Sequence, residues 1–341
     1  MIFRFFIKNG FALLAAASVF LLFSLTTHVT AASADTQKWP EEWNQEWPDT
    51  NFSRSSVDFD EILSGGPPRD GIPAIDRPTF TSIGDASDIG KKEPVIALEV
   101  NGEAKAYPLR ILTWHEIAND IIGGVPVIVT YCPLCNASIS FDRRLGDRVL
   151  SFGVSGKLRH SDMIMYDRQT ESWWQQFTGD AIVGQMMGAQ LKRLPSQIIP
   201  FSEFRKRYPD GLVLAPPLPG ARPYGQNPYS RYDSTKDPFL YDGRYRGPVP
   251  AMAYVIAVGD KAWPLRTVRR AKTIEHGDLI IRWQKGMNSA LDTRTISKGR
   301  DLGFVTVERR RADGRMESVP YDMTFAFVFK AFKPDGKIIK N

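Results

Sequence analysis

Alternating apolar and polar positions dominate the chain from residue 94 onwards and predict mainly strands. The run PVIALEVNGEAKAYPL (94–109) predicts two strands joined by a hairpin at Asn101-Gly102, a dipeptide that favours two-residue turns. VPVIVTY (125–131) predicts a buried strand, and ASISFDRRLGDRVLSFGVSG (137–156) predicts a hairpin that turns near Gly146. The pattern therefore indicates a β-rich, α+β fold.

Two segments carry a helical pattern instead. RILTWHEIANDIIGG (110–124) places apolar residues at helical spacing and predicts a helix that ends at Gly123-Gly124. FSEFRKRYP (201–209) predicts a second, shorter helix. We therefore expect short helices between strands.

An internal repeat relates two parts of the chain. VIALEVNGEAKAYPLR (95–110) recurs as YVIAVGDKAWPLR (254–266), and VIVTYCPLCNAS (127–138) aligns with LIIRWQKGMNSA (279–290). The repeat, around 95–140 and 254–295, predicts two related halves, about 94–215 and 250–335, within a domain spanning 81–341. In the second copy Gln284 and Met287 stand where the first has cysteines. This favours a functional role for the cysteines over a folding role.

The two N-terminal segments differ from the rest. Residues 1–34 have a basic start, an apolar stretch and Ala32-Ser33-Ala34, which predicts a signal peptide cleaved after Ala34 and export to the periplasm. Residues 35–80 are expected to form an arm. Its Trp39, Trp43 and Trp47 recur every four residues and are predicted to pack on the body of the protein.

The composition of the chain limits the kinds of partner that it can bind. The chain has 44 Lys and Arg against 38 Asp and Glu, and the segment 1–34 holds two of the basic residues, so the net charge after cleavage is 42 − 38 = +4. No basic cluster is interleaved with aromatic residues, which excludes a nucleic-acid-binding class. No later segment is apolar enough to span a membrane. A small molecule, a metal or a redox partner protein stays open.

Both cysteines of the chain lie in PVIVTYCPLCNASISF (126–141). The spacing of Cys132 and Cys135 suits a soft metal, zinc or copper, for which His115 is the best further ligand. It also suits a thiol–disulfide redox pair, although a strand, not a helix, is predicted after the motif, which excludes a thioredoxin fold. We place metal binding first, because His115 precedes the cysteine-bearing strand and no helix follows to activate a thiolate.

A third interpretation is a structural disulfide between Cys132 and Cys135 in a non-enzymatic binding or interaction protein. A loop of four residues gives such a bond only about 2 kcal/mol of stabilisation. Whether the chain is an enzyme is open at this point.

The segments AYPLRILTWHEIANDIIGG, TYCPLC, SDMIMYDRQTESWWQQF and YPDGLVL carry a resemblance to a known family. Over residues 64–335 the chain resembles DUF3179, a family of exported bacterial and archaeal proteins of undefined function. The resemblance implies no activity, and it is the residues themselves that centre the expected site on Cys132 and Cys135. Asp162, Asp167 and Glu116 could supply acid–base groups, although turn capping is the simpler role for the two aspartates. The further site candidates that match the family pattern are Ser161, Tyr166, Trp174 and Gln176.

Overall fold

The computed structural model describes residues 38–217 and 219–340. Strands account for 38% and helices for 14% of the structure, which confirms the β-rich character of the chain. The predicted signal peptide (1–34) lies outside the described residues.

Short strands and helices alternate along the described chain. The strands are β1 (Ile62–Ser64), β2 (Phe80–Ser82), β3 (Pro94–Val100), β4 (Glu103–Pro108), β5 (Ile117–Ile122), β6 (Val125–Cys132), β7 (Ala137–Asp142), β8 (Arg144–Leu145), β9 (Arg148–Val149), β10 (Phe152–Arg159), β11 (Asp162–Asp167), β12 (Trp173–Gln175), β13 (Ala181–Val183), β14 (Lys192–Leu194), β15 (Gln197–Pro200), β16 (Leu212–Leu214), β17 (Tyr254–Val258), β18 (Lys261–Pro264), β19 (Thr273–His276), β20 (Leu279–Gln284), β21 (Phe304–Arg310), β22 (Met316–Ser318), β23 (Asp322–Phe325) and β24 (Lys337–Ile338). The helices are α1 (Glu42–Glu46), α2 (Leu109–His115), α3 (Phe201–Arg207), α4 (Leu265–Ala271) and α5 (Ala326–Phe332).

Five sheets of four or five strands are arranged as a propeller-like, five-bladed ring. Their strand orders are β1-β10-β11-β12-β13, β14-β7-β6-β5, β15-β3-β4-β16-β2, β23-β17-β18-β24 and β19-β20-β21-β22. The strands β8 and β9 form a separate hairpin. Two of these sheets matter for the site, since the cysteine-bearing β6 and the strand β11 belong to different blades.

Several turns follow the sequence prediction. The β3–β4 hairpin turns at Asn101 and Gly102, whose φ angles of 50° and 83° are those that a two-residue turn of this type requires. The β8–β9 hairpin turns at Gly146, and the predicted helix after residue 200 is α3. The strand after the cysteines is β7, which pairs with β6 from Cys132↔Ala137 to Val127↔Asp142.

The predicted helix over 110–124 is wrong in its second half. The helix α2 ends at His115, and Glu116 has a φ of 57° that no continuing helix allows. The chain then forms β5, which pairs with β6 through a turn at Gly123-Gly124. The apolar spacing fits a strand as well as a helix, because a pattern over so few residues does not separate the two.

Both copies of the sequence repeat have the same local order of hairpin, helix and hairpin: β3, β4, α2, β5, β6 and β17, β18, α4, β19, β20. In each copy the residue after the helix has a positive φ, 57° at Glu116 and 66° at Lys272. The carbonyl oxygen of Glu116 accepts a hydrogen bond from the backbone N–H of Tyr131, and that of Lys272 accepts one from the backbone N–H of Trp283, both at 2.8 Å. The two segments therefore share their local order of elements, whereas the repeat that divides the domain into two related halves stays a prediction.

Two of the three arm tryptophans are packed against the body, as predicted, whereas the ring of Trp39 contacts Phe52 and Phe59 of the arm itself. Trp43 and Trp47 are buried and contact Trp173 with ring centroids 4.9 and 5.4 Å apart. The guanidinium group of Arg69 lies 4.6 Å from the Trp47 ring centroid and 4.5 Å from that of Tyr166. These contacts join the arm to the blade that contains β11.

Candidate functional site

The CPLC motif forms the tip of the β6–β7 hairpin. Cys132 is the last residue of β6, and the backbone N–H of Cys135 donates to the carbonyl of Cys132 at 3.3 Å. Asn136, which closes the turn, has a φ of 46°, a conformation that Asn tolerates better than most residues. The tight turn brings the two Sγ atoms within 4.8 Å of each other, and both cysteines are free thiols.

Polar groups from distant segments fix this turn. The Thr324 hydroxyl donates to the carbonyl of Cys135 at 2.7 Å, and the Asn136 amide donates to the carbonyl of Met323 at 2.8 Å. The Tyr232 hydroxyl donates to the carbonyl of Leu134 at 3.1 Å. These bonds satisfy the backbone of the turn and leave the thiols as the groups available to a ligand.

A second hairpin tip meets the first. His160 and Ser161 form the two-residue turn between β10 and β11, with φ angles of 53° and 65°. The Cys132 thiol donates to the carbonyl of Ser161 at 3.6 Å. Asp162, the first residue of β11, thereby places a carboxylate oxygen within 4.8 Å of both sulfur atoms.

Asp162 is fully buried and is held by one of its two oxygens. Its Oδ2 accepts bonds from the Gln175 side-chain amide at 2.7 Å and from the backbone N–H of Phe177 at 2.9 Å. Its Oδ1 accepts no hydrogen bond of standard geometry from the described residues, and the carboxyl group interacts with the Cys135 thiol. The Oδ2 atom thus orients the side chain, and the carboxyl group lies beside the cysteines.

Glu116 contributes a second buried carboxyl group. It is 7% exposed and lines a cavity of about 80 Å³ together with Cys132 and Tyr229. Its positive φ turns the chain between α2 and β5, so that this side chain faces the cysteine hairpin. Sequence reasoning placed Glu116 near the site, and the structure gives it a defined position beside Cys132.

Burial sets the electrostatics of these four acidic groups. It raises the pKa of the Cys132 and Cys135 thiols, raises the pKa of Asp162 to about 7, and raises the pKa of Glu116 to about 8, with the Asp162 charge adding to the last shift. Within the described chain, no Lys or Arg forms an ion pair with either carboxyl group. Arg159, whose charge lowers the pKa of Asp162, pairs with Glu61 at 2.5 Å. Near neutral pH, full ionisation of the site is therefore unfavourable without a nearby cation.

His115 is not brought to the cysteines. Its Nδ1 lies 2.7 Å from the carbonyl of Pro73 and its Nε2 lies 2.8 Å from the Tyr224 hydroxyl, so both ring nitrogens are engaged elsewhere. The group of donors within 4.8 Å of one another contains Asp162 in the place predicted for His115. The φ reversal at Glu116 explains this, because it directs adjacent side chains to different surroundings.

The remaining candidates support the site or lie outside it. Gln176 donates to the Thr130 hydroxyl at 2.7 Å and so joins β12 to the cysteine hairpin. Asp167 accepts from the backbone N–H of Thr170 at 2.7 Å and from the Trp174 indole at 2.9 Å, which confirms its turn-capping role. The Tyr166 hydroxyl donates to Asp70, away from the thiols.

Three supporting residues escaped the sequence reasoning. Gln175 positions Asp162, Tyr232 holds the CPLC turn, and Tyr229 lines the cavity. The last two lie in the segment 216–250, whose many tyrosines were the available signal. The Ser161 hydroxyl also contacts this segment, donating to the carbonyl of Phe239 at 2.5 Å.

Residues 69–336 match the family model described as protein of unknown function, DUF3179. The chain belongs to the DUF3179 family. No curated protein and no solved structure matches it. Membership therefore places this buried Cys–Cys–Asp group in DUF3179 without assigning it an activity.

None of the helices in the described part of the chain is long and apolar enough to cross a membrane.

Proposed function

We propose that this DUF3179 protein binds one zinc ion through the thiolates of Cys132 and Cys135 and the carboxylate of Asp162. The observation that carries the proposal is the convergence of these three donors within 4.8 Å at fully buried positions. Cysteine sulfur and carboxylate oxygen are both ordinary zinc ligands. Two hairpins from different blades supply them, and both are tied down by further hydrogen bonds.

Charge balance supports a cation at this place. The three donors carry three negative charges when deprotonated, and burial opposes each of those charges in the absence of a partner. A divalent cation offsets two of the three charges and removes the desolvation penalty that raises the pKa values. Such groups are expected to release protons when the metal binds.

The donor set favours zinc over copper. Two thiolates suit both Zn²⁺ and Cu⁺, but a carboxylate is a harder ligand and suits Cu⁺ poorly. The sequence left zinc and copper open with His115 as the third ligand. Asp162 takes that position in the proposal, and it is the residue that separates the two metals.

A thiol–disulfide redox role is the second candidate, supported by two free thiols at short distance. It ranks lower because burial raises the pKa of Cys132, and a protonated thiol is a weak nucleophile. The strand β7 follows the motif, so no helix N-terminus is present there to stabilise a thiolate.

We also propose export, supported by the signal-like segment 1–34. In an oxidising compartment a close thiol pair is at risk of oxidation, and metal ligation protects it. The intact mass of the exported protein tests this, with a mature N-terminus at Asp35 as the expected result. A full-length species in the inner membrane would contradict it.

The zinc affinity of three proteins tests the metal proposal. Wild type should bind one equivalent, measured by competition with a chromophoric chelator under reducing conditions. Asp162→Asn keeps an acceptor oxygen for Gln175 and Phe177 but lacks the charge, so it should bind far more weakly. His115→Ala is the matched control and should bind like wild type. Loss of zinc in His115→Ala together with retention in Asp162→Asn would refute the proposed ligand set.

A further inference from the structure

The cavity beside Cys132 is mostly apolar. Its apolar lining includes Ile72, Pro133, Leu134, Val154, Leu158 and Met163. Three other side chains at its wall are polar, and one of them, Lys157, is engaged by Glu46 at 2.8 Å. The two that remain are Glu116 and Tyr229. An apolar cavity with a few directed polar groups is the usual form of a small-molecule site.

The two polar groups have no protein partner among the described residues. The Glu116 carboxyl group makes no hydrogen bond there although the residue is only 7% exposed, and the Tyr229 hydroxyl makes none either. The oxygens of both groups keep some accessible surface, and Tyr229 is only half-buried, so a small molecule that enters the cavity can reach them and supply the missing bond. Both groups lie close enough to each other and to Cys132 for their charges to interact. They point to a polar ligand in the cavity.

The number of protein ligands also indicates that the proposed metal has an open position facing this cavity. Zinc takes four ligands in structural sites, whereas catalytic sites use three protein ligands and keep the fourth position for water or substrate. Cys132, Cys135 and Asp162 supply three, and of these only Cys132 lines the cavity. The open side of the proposed centre is therefore the side that Glu116 and Tyr229 share.

We infer that this cavity holds an exchangeable fourth ligand of the metal, a small neutral oxygen or nitrogen donor such as water or a compact organic base. The inference rests on the proposed zinc site. Two thiolates and one carboxylate leave a divalent centre with one net negative charge, which disfavours an anion in a poorly solvated cavity. A volume of about 80 Å³ holds two or three molecules at roughly 30 Å³ per water. The ligand is therefore small.

Cobalt(II) in place of zinc makes the fourth ligand visible. The visible absorption of the cobalt-loaded protein should change saturably with imidazole, at a pH where imidazole is neutral. Azide, a small anion, should have little effect. In Leu158→Phe and Ile72→Phe, which enlarge lining side chains from two different segments of the chain, cobalt should still bind while the apparent imidazole affinity falls at least about tenfold. Ile121→Phe, on an exposed residue, is the control.

The outcomes separate the inference from the metal proposal. Failure of wild type to bind cobalt or zinc overturns both. Stoichiometric cobalt with no response to imidazole overturns the open position but leaves the metal site intact. An equal imidazole response in wild type and in both filled variants shows that the ligand binds elsewhere, which also refutes the inference. A stronger response to azide than to imidazole contradicts the charge argument.

Discussion

The pH dependence of stability offers a sharp test of the buried carboxyl group of Asp162 in the metal-free protein. Burial raises its pKa from 3.8 to about 7. Between these pH values the unfolded chain has lost a proton that the folded chain keeps, so the folded state binds more protons. The free energy of unfolding must therefore fall as pH rises through this window.

The magnitude follows from the shift. A change from 3.8 to about 7 corresponds to about 4 kcal/mol at ~1.4 kcal/mol per pKa unit, as an order of magnitude. The raised pKa of Glu116 also makes the free energy of unfolding fall as pH rises, in the window between its ordinary pKa of 4.5 and its folded pKa of about 8. Asp162→Asn has no proton to lose at this position. Its stability should therefore fall less steeply from about pH 4 to 7, and it should exceed wild type in stability near pH 8.

Urea denaturation in the presence of a chelator, repeated in steps from about pH 4 to 8, measures the difference. Asp142→Asn is a control of opposite sign, because the hydrogen bonds from Arg144 lower the pKa of Asp142. Its carboxylate stabilises the fold above its unfolded pKa of 3.8, and this contribution is lost as pH falls through the lower folded pKa. Equal slopes for wild type and Asp162→Asn, or a wild-type stability that rises from pH 4 to 7, would refute the reasoning.

Four other results are expected. Cys132→Ser should weaken zinc binding by more than the ~10–100-fold typical of residues that only support a ligand, measured by chelator competition. Zinc binding to wild type near pH 7 should release about two to three protons, measured by calorimetry in buffers of different ionisation enthalpy, because burial keeps the thiols protonated. Gly156→Ala should cost about 1–3 kcal/mol more than Gly146→Ala by chemical denaturation. Both have a positive φ, but a Cβ at Gly156 would lie 2.1 Å from the Pro67 carbonyl oxygen, whereas nothing lies within 4 Å at Gly146. Trp47→Ala should cost about 3–5 kcal/mol without altering zinc affinity, since the arm packs on the fold and not on the thiols.

The local parts of the site could be predicted from the sequence. The apolar run before the cysteines indicates the buried strand β6, and the alternating residues after them indicate the strand β7, which excludes the thioredoxin arrangement. The pairing of β7 with β6 was not predicted, because the hairpin over 137–156 was expected to pair its own two arms, whereas β7 and β10 lie in different sheets. In the β3–β4 hairpin, Asn101-Gly102 indicates the turn because few other dipeptides adopt two positive φ angles. In each case the information lies within a few residues of the feature.

The third donor could not be predicted in this way. Asp162 reaches the thiols because two blades of the ring meet, and no short pattern encodes that contact. His115 looked closer along the chain, but the φ of 57° at Glu116 separates neighbouring side chains and β5 replaces the predicted helical turn. The turn at Glu116 and the meeting of the two blades together determine which residues lie at the site.

X-ray absorption at the zinc edge tests the central claim most directly. For the zinc-loaded protein the account predicts two sulfur ligands, oxygen ligands for the remainder and no imidazole scattering, with an unchanged spectrum in His115→Ala. Imidazole scattering that disappears in His115→Ala would contradict it. So would a wild-type protein that contains a Cys132–Cys135 disulfide and takes up no zinc after reduction.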